Sequence, residues 1–424
     1  MNSAGLITFF IGSFLFFSTF SIAGTQTALT LSILLWIVLA AVGKAPRPRR
    51  TTLDFPIILF VGVCLVAVLF SKQRWASFVN LKNILLVSIV YLLGFLVRNR
   101  KTGHRLFAVL LFSGAVSSLY GIAIFLLGKG EGTLGRTPGT FSTAMTFGGV
   151  LLMICSLFFS VGIGNGLSSK VRVAVLGAAL ASAGALFFSF TRSSWLGMIA
   201  SCIVILAILR RKWLLPFVGA LLLFTFLLPV PMRERVTSIW DARYRTNVQR
   251  LEMLWGGWRI FKDHPVIGVG TMDLGEIYRR YKPPEAVYVH GHMHNNFFHV
   301  AVTTGAIGLG AFCFLLFSFY RLMAGNLRLD LPPPEKAWVV GSIGALTGFI
   351  VNGLFEWNFG DAEVVTLLYL IVGSNLAIAV NRRRFVMGNE GPNLNPLKNK
   401  CENTLDRYKS IDPACLTPFD KNSP

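Results

Sequence analysis

The sequence is poor in charge, and poorest in acidic charge. Asp and Glu together number 19 in 424 residues against 40 Lys and Arg, and the four types make up only 14% of the chain. A water-soluble domain carries roughly 25% charged residues, so a soluble multi-domain enzyme is excluded. Disorder of the whole chain is excluded as well, because 54% of the residues are hydrophobic. Paired cysteines are also missing. Of six cysteines, Cys64, Cys155, Cys202 and Cys313 sit in apolar runs and Cys401 and Cys415 in a polar tail, with no CxxC spacing among them. Neither a zinc site of that kind nor a disulfide framework follows. The first apolar run, about Leu6 to Ile22, has no basic segment ahead of it and leads almost directly into a second, so it reads as a retained helix and not a cleaved signal.

Long apolar runs are what the sequence has in abundance. They fall at about Leu6–Ile22, Leu29–Val42, Phe55–Phe70, Ile84–Val97, Leu106–Leu127, Ala144–Ile163, Val173–Phe190, Ser194–Leu209, Trp213–Val230, Phe297–Leu322, Trp338–Leu354 and Val364–Ala379. A span takes about 20 residues. These runs predict an all-α polytopic membrane protein of about twelve transmembrane helices. Residues 1–230 would hold helices 1 to 9, 231–296 one large loop, 297–385 helices 10 to 12, and 386–424 a tail. Basic residues concentrate in alternate short loops, among them Arg47, Arg49 and Arg50, Arg98 to Arg105, and Arg210 to Lys212. That bias predicts a cytoplasmic N-terminus and places the large loop on the outer, periplasmic face of the inner membrane. The tail, rich in Asn, Pro and Lys without periodicity, reads as disordered and cytoplasmic. Loop anchoring and attraction to anionic membrane lipids account for most of the net charge of +21, so nucleic acid binding is not needed.

Basic residues on the predicted outer side are the exception to this pattern. Arg192 lies in Phe190-Thr191-Arg192-Ser193-Ser194, at the junction of two spans with no acidic residue near it. A guanidinium there is costly unless it is paired or lines a wet cavity, which makes it a functional candidate; a snorkelling anchor is the bland alternative. Between Arg243 and Lys262 the apolar residues Val248, Leu251, Leu254, Trp255, Trp258 and Phe261 keep a helical spacing, stopped by Asp263-His264-Pro265. Such a helix suits the membrane interface. Arg250 projects from it, as do Arg245 and Arg259, for which contact with lipid phosphates suffices. Val266-Ile267-Gly268-Val269-Gly270 reads as a turn, and two glycines alone say little for phosphate binding. Then comes His290-Gly291-His292-Met293-His294-Asn295. Histidines at alternate positions raise the thought of a metal, but no carboxylate or cysteine ligand is expected to be positioned nearby, and a general acid or base fits better.

The spacing of His294-Asn295, nine residues, then Gly305-Ala306-Ile307-Gly308 resembles the signature of the O-antigen ligase family, which shares a superfamily with O-antigen polymerases of the Wzy type. Thr191-Arg192-Ser193, Arg250 through Gly270, and Glu356-Trp357-Asn358-Phe359-Gly360-Asp361 agree with it in order. The resemblance covers most of the chain from about Gly132. It implies a metal-independent, inverting glycosyltransferase, without cofactor, that takes a glycan from undecaprenyl pyrophosphate and moves it to an acceptor hydroxyl, on lipid A-core or on another glycan. It also implies that Arg192 and Arg250 hold the pyrophosphate, that His294 is the catalytic histidine, and that Arg136, in Gly135-Arg136-Thr137-Pro138-Gly139, is a further phosphate contact. Ligase is the nearer likeness, and polymerase remains the alternative. A secondary transporter is the more distant one, disfavoured because the halves of the chain show no repeat.

Overall fold

A computed structural model describes residues 3–132, 135–228 and 230–389. The expected disordered tail, with Cys401 and Cys415, falls outside the described residues from 390 onward. The chain runs through α1 (Ser3–Phe17), α2 (Ile22–Ala41), α3 (Asp54–Phe70), α4 (Arg74–Asn80), α5 (Ser88–Leu96), α6 (Arg100–Leu126), α7 (Ala144–Ile163) and α8 (Ser169–Phe188). It continues through α9 (Arg192–Leu209), α10 (Leu214–Leu227), α11 (Val230–Thr237), α12 (Arg245–Asp263), α13 (Gly275–Tyr281), α14 (Asn296–Leu327), α15 (Pro333–Gly353) and α16 (Ala362–Asn389). No strand forms among the described residues; one isolated bridge joins Glu131 and Arg136.

Among the described residues, eight helices are long and apolar enough to cross a membrane, with Arg74–Leu96 counted as one of them. The runs near Leu6 and Phe55 also fold as apolar helices, but shorter ones. The centre of the bundle is α7, of whose apolar window 89% is buried. Its sequence is almost without polar groups, so it can be covered on every side. At the periphery α10 has no buried residue, as a helix that is apolar all round can have only when lipid is its neighbour. Between α9 and α15 the contact is through glycine. A Cβ on Gly197 would lie 2.6 Å from the Gly348 carbonyl oxygen, so these two backbones pack where no side chain fits. Close approach of this kind replaces the hydrophobic drive that lipid cannot supply. Buried hydroxyls add interhelical bonds, Ser201 to Ser156 at 2.7 Å and Ser118 with Ser182 at 2.9 Å.

The segment between α10 and α14 is built around α12, which covers the predicted helix and ends at Asp263, before Pro265. Its predicted apolar stripe is turned outward, with Leu251, Trp255 and Trp258 at least half exposed. Its other face, Met253, Gly256, Gly257 and Ile260, is buried against Tyr278, Met293 and Phe298. Gly257 has no alternative here, since a Cβ would meet Phe298 at 2.6 Å and the Met293 sulfur at 2.7 Å. Arg245 stacks on Tyr288 and Arg259 on Trp255, so both stems are held by aromatic rings.

Helix α14 is broken at Gly305, where φ is 70°. The turn Val266–Gly270 lies in the break: Val269 N–H donates to the Val302 carbonyl at 3.1 Å, Gly270 N–H to Thr303 at 2.9 Å, and Ala306 N–H to Pro265 at 2.8 Å. The glycines of the turn and the first glycine of the His motif thus serve one purpose. They let two backbones touch, and they satisfy the groups that the broken helix leaves unpaired.

Candidate active site

Six segments converge on one cleft. Arg136 comes from the α6–α7 loop, Phe190, Thr191 and Arg192 from the start of α9, Arg235 from α11, Gln249 and Arg250 from α12, His290 and His294 from the approach to α14, and Glu356 from the α15–α16 loop. The four residues singled out from the sequence, Arg136, Arg192, Arg250 and His294, therefore share a single pocket.

The four guanidiniums are not equivalent. Arg192 is buried and fully engaged by neutral acceptors: the Ser238 carbonyl at 2.7 Å and hydroxyl at 2.9 Å, Thr246 Oγ1 at 2.6 Å and Asn247 Oδ1 at 2.9 Å. Its Cζ also lies 5.0 Å from the Tyr244 ring centre. It ties the end of α11 to the start of α12 and so fixes the helix that carries Arg250. Arg136 donates to the Ser189 carbonyl at 3.1 Å and to Thr191 Oγ1 at 3.2 Å. Arg235 reaches the Tyr244 hydroxyl at 3.1 Å, and its buried Nε has no hydrogen-bond partner. Among the described residues, Arg250 forms its one ion pair with Glu356, at 4.0 Å. Burial pulls the Arg250 guanidinium below its ordinary value; Glu356 acts against this and Arg235 adds to it. Four cations facing one carboxylate leave a strong demand for an anion.

His294 is held in an unusual backbone conformation, φ 43°, just ahead of α14. The residue after it explains the arrangement. Asn295 caps the helix by accepting from Phe298 N–H at 2.9 Å and donates to the Leu354 carbonyl at 2.9 Å. Asn296 accepts from Phe359 N–H at 3.1 Å and bonds Asn358. The start of α14 and the α15–α16 loop are thereby locked together. His294 Nδ1 lies 2.6 Å from Glu356 Oε1. Burial would raise the Glu356 carboxyl, but the hydrogen bond and charge of His294, with Arg250 and His292, outweigh it and hold the group below its usual range. In the neutral tautomer that donates from Nδ1 to the carboxylate, Nε2 carries the lone pair.

Residues 177–313 match the family model described as O-antigen ligase. This stretch is similar to the O-antigen ligase family. The resemblance read from the histidine motif is borne out, and no curated protein matches the chain. The matched stretch contributes Arg192, Arg235, Arg250, His290 and His294 to the cleft, while Arg136 and Glu356 enter from outside the match. Two cleft residues escaped the sequence reading. Arg235 looks no different in sequence from Arg233 or Arg243, and only the fold of α11 selects it. Glu356 stood within the resemblance without a role, although an acid at a span end in so acid-poor a chain was a usable signal. One expectation is corrected: a carboxylate does stand beside the histidines, since His292, His294 and Glu356 each bring a ligand atom to within 4.8 Å of the others.

Proposed function

We propose that the protein is an O-antigen ligase-type glycosyltransferase of about twelve spans, with its cleft on the periplasmic face of the inner membrane. The donor is a glycan on undecaprenyl pyrophosphate, and the acceptor is a hydroxyl of lipid A-core. The observation that carries this reading is the cleft itself, in which Arg136, Arg192, Arg235 and Arg250 surround the His294–Glu356 pair. A diphosphate is the anion that several forked guanidiniums suit best.

In the reaction, the acceptor oxygen attacks the anomeric carbon from the side opposite the diphosphate, and the configuration inverts. His294 Nε2 takes the hydroxyl proton, and Glu356, accepting from Nδ1, stabilises the imidazolium that forms. The carbon–oxygen bond to the carrier breaks as charge gathers on the leaving diphosphate. Arg250, Arg235 and Arg136 face that charge, and Arg192 holds the frame and adds its field. No metal is required for any of these steps.

Deletion of the gene tests the acceptor. Loss of a ligase leaves long polymer on its lipid carrier and lipid A-core uncapped. Core capped by a single repeat unit would instead identify a polymerase of the Wzy type, working through the same cleft.

A further inference from the structure

We propose that His292, His294 and Glu356 form an inhibitory site for a transition-metal dication, zinc above all others. That the site inhibits rests on the transferase reading above; that it binds metal does not.

The two imidazoles lie with ring centres 4.3 Å apart. His294 Nδ1 is 2.6 Å and His292 Nε2 3.9 Å from the same oxygen, Glu356 Oε1. Zinc bonds to nitrogen and oxygen at about 2.0–2.2 Å, so neighbours in a tetrahedral shell stand about 3.3 Å apart. The closer contact must open and the longer one close, each by well under 1 Å, roughly what small side-chain rotations supply. Two imidazoles and a carboxylate are a ligand set that zinc accepts with its fourth position open.

The second oxygen, Glu356 Oε2, is buried without a hydrogen-bond partner. Other charges bear on the affinity. Arg250, 4.0 Å from Glu356, opposes a dication, as do the further arginines of the cleft. Asp273 acts the other way from the far side of His292.

Occupancy would silence His294 through its tautomer. A metal on Nδ1 displaces the hydrogen bond to Glu356 and forces the ring proton onto Nε2, the nitrogen that must receive the acceptor proton. The ring then has no lone pair to offer.

The test uses the full chain, purified and stripped with chelator, then equilibrated with micromolar zinc and assayed for bound metal by elemental analysis. The wild type should hold about one zinc per chain, and His292→Ala and His292→Asn should each weaken binding roughly tenfold or more. Zinc should suppress glycan transfer by the wild type, with recovery on chelation. Both His292 variants should transfer normally in chelator, which also shows that they fold, and should resist zinc. A wild type that retains no zinc, or variants that retain as much, would overturn the site. A chain that binds zinc through His292 and never transfers glycan would leave the site standing and strike only the transferase reading.

Discussion

At the scale of single residues, the cleft separates two kinds of arginine that the sequence presents as a pair. Arg192 spends its donors on Ser238, Thr246 and Asn247, whereas Arg250 has no hydrogen bond among the described residues and pairs with Glu356. Lysine at either position keeps the charge and loses the fork. Arg250→Lys should therefore lose transfer by about two to three decades, the loss of one well-placed contact of about 2–4 kcal/mol, with an unchanged melting temperature. Arg192→Lys should lose transfer and lower the melting temperature too, because buried acceptors go unpaired. Equal stability of the two variants would contradict this division. The His294–Glu356 pair makes a different forecast. His294→Ala should bind a lipid diphosphate as the wild type does and fail to turn over, since the ring acts on the acceptor proton and not on the donor. Glu356→Gln should retain partial transfer with a shifted pH profile, because the amide still bonds the ring but no longer steadies its charged form. A His294→Ala chain that cannot hold the donor would place the ring in binding instead.

At the scale of elements, the histidine motif is explained by a break in a helix. Gly305 sits at φ 70°, and a Cβ there would lie 2.1 Å from the Val266 carbonyl oxygen. The turn Val266–Gly270 closes on this break, and α12, just before the turn, carries Arg250. Gly305→Ala should therefore lower the melting temperature and cut transfer without touching a charged group, whereas Gly310→Ala, where a Cβ meets nothing within 4 Å, should do neither. A silent Gly305→Ala would detach the motif from the geometry of the cleft. These cases also show what the sequence could and could not reveal. The apolar runs announce the helices because burial in lipid is written into composition, and α12 is visible because its spacing repeats and Pro265 ends it. The break at Gly305 and the partnership of His294 with Glu356 were not legible. Both depend on segments distant in sequence touching, Val266 with Gly305 and Asn296 with Asn358, and no local pattern encodes such a meeting. The outward turn of the Trp255 and Trp258 stripe was legible in part, since its spacing gave a face but not its neighbour.

At the scale of the whole molecule, one arrangement governs every reading of the cleft. Its residues come from the connections before α7, before α9, between α10 and α14, and between α15 and α16. The connection after α3 joins them, since Thr271 Oγ1 donates to the Ser77 carbonyl at 2.9 Å. These are the connections that the distribution of Lys and Arg assigns to the outer side, while Arg47, Arg100 and Arg210 lie in the alternate set. Charge bias and cleft assembly are independent of each other, one being a matter of composition and the other of packing, and they sort the connections alike. The two sets are expected to face opposite sides of the membrane, and a single labelling experiment tests this and fixes which is which. In a background without the native cysteines, Glu285→Cys and Lys170→Cys each place a thiol at an exposed position, one in each set. A membrane-impermeant maleimide applied to spheroplasts should modify the first at once and the second only after the membrane is opened. The reverse order would put the arginines and His294 in the cytoplasm. An enzyme that meets its glycan outside could not then use them.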